Sequence, residues 1–304
     1  MLMNLGDLVI RKSYGGDVTF RVEGLQEDKA VIKGTEFRLL ADSPLDDLVK
    51  VPYEPETKKT RLAHIKANES YSLLQQHRKE QAQRNQAGLI DDWNHTAVKA
   101  ETPSYFEMPG KVLHLDGDPN YLKKSMALYE RLRVPAEGHF VHEGSMAETL
   151  YRLLPRSRPD IVVITGHDGV LKSRQPYDLY NINHYKNSAN FIAAIQVARQ
   201  YEWHLDALTI VAGACQSHFE ALIRAGANFA SSPSRVLIHA LDPVYVAAKA
   251  AFTSVKDTMN MNDIVHHTIT GSEGIGGLES KGSYRIGLPP LQDLTTLKVT
   301  PAAI

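Results

Sequence analysis

Between Lys111 and Ala251 the chain alternates short apolar runs with helical stretches, and that rhythm restricts the fold more than any other feature. Val112–Leu115, Ile161–Thr165 (IVVIT) and Leu208–Val211 are apolar at nearly every position, which a strand tolerates only when both of its faces are covered. Pro119–Leu132, Met146–Leu154, Ser188–Tyr201, Ser217–Ala225 and Pro243–Ala251 read as the intervening helices, with further strands at Gly138–His142 and Val236–Ala240. The expected fold class is α/β, a parallel sheet with helices on both faces. After Met261, NDIVHHTITG leads through Gly-rich turns to a last expected strand, Tyr284–Ile286.

Two other regions precede this unit. In residues 1–53, LGDLVIRK, DVTFRVEGL, KAVIKG and EFRLLA alternate apolar and polar positions with Gly and Asp at the breaks, as in a small SH3-like β-barrel domain. Residues 54–108 are rich in helix formers and poor in apolar residues, then pass into a loop marked by Pro103 and Pro109. They read as a helical linker carrying Arg61, Arg78 and Arg84 in accessible backbone. The α/β domain is expected over 109–304.

Charge and composition exclude several functions. The chain has 34 Lys+Arg against 35 Asp+Glu, a net charge of −1, so neither nucleic acid nor an anionic membrane is an expected partner. The most apolar stretches are too short to cross a bilayer and the N-terminus has no signal-peptide pattern, so a soluble intracellular protein is expected. One cysteine permits neither an internal disulfide nor a four-cysteine zinc site. No cofactor is expected.

In an open α/β sheet, ligands bind beyond the carboxyl ends of the strands. Those positions hold Asp116-Gly117-Asp118, Gly166-His167-Asp168-Gly169, Ala212-Gly213-Ala214-Cys215 and Leu241-Asp242-Pro243. Cys215, the sole thiol, follows a buried strand and a turn-permitting Gly213, and precedes an expected helix whose N-terminus would favour a thiolate. His167 ends another strand 48 residues earlier, where it can serve as the general base that thiolate chemistry needs. Backbone amides of Gly166 and Cys215 are candidate oxyanion donors. Asp168 is a candidate to orient His167, and His218 is an alternative base. The LDGD carboxylates could bind a metal, but no further ligand set accompanies them. Ser231–Arg235 reads as a loop before a strand and lacks the setting of a serine nucleophile.

The order apolar strand–His–x–Gly, crossover, apolar strand–x–Ala–Cys resembles the caspase–gingipain–legumain group of cysteine peptidases, apart from Asp168 between His167 and the glycine. That resemblance implies a caspase- or flavodoxin-like sheet. More specifically, LHLDGD, ITGHD, GACQSHFE, LIRAGANFASSPSRV, IHALDPVY, GIGGLE and the opening GDLVIRKSYGGDVTFR resemble the YabG family of sporulation-specific peptidases. The resemblance implies a protease of the mother-cell cytoplasm that trims spore coat and cortex-associated proteins after arginine, with Cys215 and His167 as nucleophile and base. An arginine pocket requires a carboxylate, since a buried guanidinium without a partner is too costly; Asp242, Asp116 and Asp118 are the candidates. Such an enzyme would be able to cut itself in the 54–108 linker. Two rival readings are a cysteine-dependent amidohydrolase, to which Gly213-Ala214-Cys215 gives half a motif, and a non-catalytic spore coat assembly factor.

Overall fold

The computed structural model describes residues 3–52, 57–94, 105–171 and 178–289. Strands β1 (Leu8–Arg11), β2 (Thr19–Leu25), β3 (Lys29–Gly34), β4 (Leu40–Pro44) and β5 (Leu48–Lys50) form one antiparallel sheet in the order β4-β3-β2-β1-β5. Alternation turns Val9, Phe20, Val22, Ala30 and Ile32 inward, and a bulge at Val22/Gly24 bends the longest strand. No pairing between β4 and β5 closes the sheet into a barrel among the described residues.

The helix formers of the expected helical linker build helix α1 (Lys58–Asn94), 37 residues without a break. Its few apolar side chains suffice to dock it: Ala63 and Leu74 are buried, and the Tyr245 hydroxyl donates to the Ala67 carbonyl at 2.9 Å. Arg61 and Arg84 face solvent from this helix, whereas Arg78 stacks its guanidinium on Phe252. The expected loop around Pro103 lies largely outside the described residues. The segment then rejoins the body through β6 (Phe106–Met108).

The second sheet is built from β7 (Val112–Asp116), α2 (Pro119–Leu132), β8 (Ala136–Phe140), α3 (Met146–Ser157), β9 (Ile161–Thr165), α4 (Ser188–Tyr201), β10 (Thr209–Ala212), α5 (Phe219–Ala225), β11 (Phe229–Ser231), α6 (Asp242–Phe252), β12 (Thr258–Met259), α7 (Met261–His266), β13 (Ile275–Gly277), β14 (Ser280–Lys281) and β15 (Arg285–Gly287). Its order is β13-β11-β10-β9-β7-β8, and β12 pairs with β14 and β15 with β6 in two small ribbons. One core packs α2 and the wholly buried α6 against one face, and the other packs α3, α4 and α5 against the opposite face.

Three expectations need correction. The sheet is mixed, because β13 runs antiparallel to β11. The strand that follows β10 and α5 is Phe229–Ser231; Val236–Ala240 stays outside the sheet, with a single bridge from His239 to Phe37. Helix α5 starts at Phe219, so Ser217 lies in the preceding turn. Gly and Ser around residues 226–234 obscure the short strand, while VLIHA has strand composition but finds its partner in the connection between β3 and β4.

Strand order reverses between β7 and β9: the chain goes outward from β7 to β8, then returns to build β9, β10 and β11 on the other side. Ligands of open α/β sheets bind at such a reversal; here the loops after β7 and β9 meet across it, with the Gly117 amide on the Thr165 carbonyl at 2.8 Å, and Asp116, Asp118 and His167 are buried.

Candidate active site

The parallel register pairs Ile164 of β9 with Ala212 of β10. Three residues beyond each paired position stand His167 and Cys215, so the sheet delivers both to the same rim on neighbouring strands. Gly213 makes the turn at φ 108°, and a side chain there would press on Leu222 and Ser231.

Cys215 is fully buried. Its sulfur accepts from the Ile238 amide at 3.2 Å and lies 3.8 Å from the Ile238 carbonyl oxygen. Burial pushes the thiol up to about 12, an effect that the Ile238 hydrogen bond and the Arg38 charge only partly offset. The expected activation by a helix N-terminus is absent, because a turn at Cys215 and Gln216 separates the sulfur from α5. The resting group is a neutral thiol.

His167 packs its ring 5.8 Å from that of Tyr121. Nδ1 lies 3.8 Å from Glu143 and Nε2 lies 3.6 Å from Asp118. Nε2 is buried with no hydrogen-bond partner among the described residues. Glu143 also accepts from the His167 backbone amide at 2.8 Å. Burial works against the Glu143 charge, but its hydrogen bonds with His167 outweigh burial and lower its pKa. Glu143 was missed from sequence. Its trace is in two glycines: a Cβ at Gly117 or Gly166 would stand 2.3 or 2.6 Å from the Glu143 carboxylate.

Asp168 does not orient His167. Its carboxylate accepts from the Gly169 and Asn187 amides and from the Ser188 and Ser217 hydroxyls, tying the β9 loop to the starts of α4 and α5. His218 is also placed elsewhere: its ring tilts against Tyr185 at 5.0 Å, with Nε2 3.2 Å from the Tyr180 carbonyl and Nδ1 3.3 Å from Glu220. The Gly166 and Cys215 amides make no hydrogen bond among the described residues. Ser231 ends β11, and Arg235 pairs with Glu220 from the loop beyond it.

The three carboxylates that are candidates for an arginine pocket differ in what they hold. Asp242 is fully buried and bound within its own neighbourhood, by the Ile269 and His239 amides and the Thr270 hydroxyl. Asp118 caps α2 through the Asn120 and Tyr121 amides and pairs with Lys33 at 3.0 Å. Asp116 grips the Arg38 guanidinium with both oxygens, at 3.0 and 2.7 Å. Burial penalises the Asp116 charge, yet Arg38 and His114 hold its carboxyl well below the usual range. No group of three His, Cys, Asp or Glu side chains is arranged to hold a metal among the described residues.

The fold is that of an α/β protein whose sheet reverses strand order between β7 and β9, with Asp116 and His167 at that reversal and Cys215 after the neighbouring β10. The family described as YabG peptidase U57 matches residues 4–289, and the chain belongs to that family: it is a peptidase. It is 45% identical over 294 residues to the sporulation-specific protease YabG of Bacillus subtilis (strain 168), covering 95% of this chain and 99% of that protein. No solved structure matches the chain. No helix among the described residues is long and apolar enough to cross a membrane.

Proposed function

We propose that the chain is a sporulation-specific cysteine endopeptidase that processes spore coat and cortex-associated proteins in the mother-cell cytoplasm, cutting after arginine. The observation that carries this reading is the placement of the sole cysteine and His167 at matching offsets on adjacent parallel strands, in a chain of a peptidase family. Cys215 attacks the scissile carbonyl carbon while His167 takes the thiol proton and passes it to the leaving amine. Water, deprotonated by His167, then opens the thioester and restores the thiol. The amides of Gly166 and Cys215, which make no hydrogen bond among the described residues, are the donors to the oxyanion in this reading. Glu143 holds His167 in orientation.

Because the resting thiol is neutral and covered, catalysis requires the groove to open and His167 to reach the sulfur. Asp116 is the best placed of the three carboxylates to read arginine, since it already binds a guanidinium in bidentate fashion. Exposed Arg61 and Arg84 on α1 are the sites for self-processing once that helix unwinds.

Purified full-length protein incubated with arginine-containing peptides tests the reading. Cleavage on the carboxyl side of arginine, abolished by a thiol alkylator and by Cys215→Ala, is expected. Cleavage that survives Cys215→Ala in the folded variant refutes it.

A further inference from the structure

We propose that Glu36–Arg38 is a built-in pseudosubstrate, laid along Ile238–Ala240 as a substrate strand would be, with Arg38 in the pocket of Asp116 beside Cys215. The inference rests on the peptidase reading above and identifies what holds its groove shut.

Three kinds of contact support it. The first is the backbone. Arg38 donates to the Ile238 carbonyl at 3.2 Å and Ala240 donates to the Glu36 carbonyl at 2.8 Å, on either side of the antiparallel bridge between Phe37 and His239. This is strand addition, the way an extended peptide binds an unpaired edge. The receiving segment is tied to the nucleophile, since the Ile238 amide and carbonyl both contact the Cys215 sulfur. Arg38 and Cys215 thus approach the same carbonyl oxygen.

The second is the side chain. Arg38 is wholly buried, forked onto Asp116, with Nε and Nη2 on the Ala240 carbonyl at 3.3 and 3.2 Å and its guanidinium 5.0 Å from the Tyr121 ring. A carboxylate fork, a carbonyl and an aromatic wall are what recognition of an arginine side chain requires. As mere glue between two sheets the arrangement is poor, because a buried ion pair contributes little that apolar packing would not.

The third is the exit of the chain. The Leu39 amide folds back onto the Phe37 carbonyl at 2.7 Å, and the Leu39 carbonyl accepts from Gly34. The backbone therefore turns away directly after Arg38 instead of continuing extended past the sulfur. The Tyr121 hydroxyl, 2.7 Å from the Phe37 carbonyl, and Lys124, bonded to the Thr35 carbonyl and the Glu36 carboxylate, fix the segment from outside. Held this way, the Arg38–Leu39 peptide blocks the groove without being cut.

The test compares the full-length enzyme with Arg38→Ala on an arginyl-peptide amide. Removing a competing internal occupant lowers KM, by about ten-fold or more if the open form is a minor state. In a second arm, on the Cys215→Ala background, N-acetyl-arginine amide raises the thermal midpoint of Arg38→Ala and leaves that of the Arg38-containing chain unmoved. If Arg38→Ala does not fold, Arg38→Lys retains the charge, loses the fork and gives a smaller fall in KM. Unchanged or raised KM in a folded variant, with no ligand-induced midpoint shift, overturns the pseudosubstrate while leaving the peptidase reading intact. Failure of every folded form to cleave overturns the peptidase reading, and the midpoint arm still reports whether Arg38 fills an arginine site.

Discussion

His167 illustrates how far single residues could be read. Its place after a buried strand, between glycines, marks it as a rim histidine from sequence alone, and Cys215 is marked in the same way. The partner of the histidine is not legible, because Glu143 stands 24 residues upstream in a short 3-10 turn and reaches His167 only after β8 and β9 have been placed on either side of β7. Adjacency in sequence suggested Asp168, and its short side chain turns instead to four nearby donors. A positioning role for Glu143 has a measurable consequence. Glu143→Ala should lower kcat about ten-fold or more by releasing the imidazole, with KM little changed and an altered pH profile. Glu143→Gln, which keeps an acceptor for the His167 amide, should recover much of the loss; equal activity of all three forms would show that the carboxylate only packs.

At the scale of elements, legibility followed periodicity. The apolar strands β7, β9 and β10 were found nearly at their observed limits, because burial on both faces leaves an unbroken apolar run. VLIHA carries the same signature but pairs with Phe37 in the N-terminal region, a partner two hundred residues away that no local pattern reveals. The composition of α1 predicts a helix but not its anchoring, because so little of its surface is apolar, and Leu74 is nonetheless almost fully buried. Leu74→Ala should cost about 2–5 kcal/mol. It should also hasten self-cleavage at Arg61, Arg78 or Arg84 in the active chain, with fragments absent when Cys215→Ala is added. Fragments that persist in the double variant would assign the cutting to another protease.

The strand-like contact at Glu36 also carries a pH dependence. Burial opposes ionisation of Glu36, but the hydrogen bond with His239 and the charge of Lys124 prevail and bring its pKa from 4.5 to about 2. Because the folded value lies below the unfolded one, the stabilisation is complete above about pH 4.5 and disappears as pH falls through 2. Chemical denaturation of wild type and Glu36→Gln should differ by roughly 2–3 kcal/mol at neutral pH and converge on acidification. A gap independent of pH would remove the carboxylate from the account.

Over the whole molecule, three parts meet at the carboxyl rim of the second sheet. The topological switch sets Asp116 and His167 on neighbouring strand ends, Cys215 follows the next strand, and β3 and the β3–β4 connection bring Lys33 and Arg38 onto the paired aspartates of LDGD. The α/β class and the location of the rim could be inferred from sequence because they follow from strand burial and a general rule of sheet topology. The union of the first sheet with the rim could not, since it depends on two cations whose local surroundings resemble any strand edge. The proposed chemistry makes Cys215 the acyl carrier with help from His167. Its most direct measurement is mass spectrometry of the intact chain after exposure to an arginyl peptide bearing a thiol-reactive ketone at its carboxyl end. One adduct per chain, located on Cys215 and formed far more slowly in His167→Ala, is predicted. Absence of an adduct in protein that still cleaves arginyl peptides would contradict the claim.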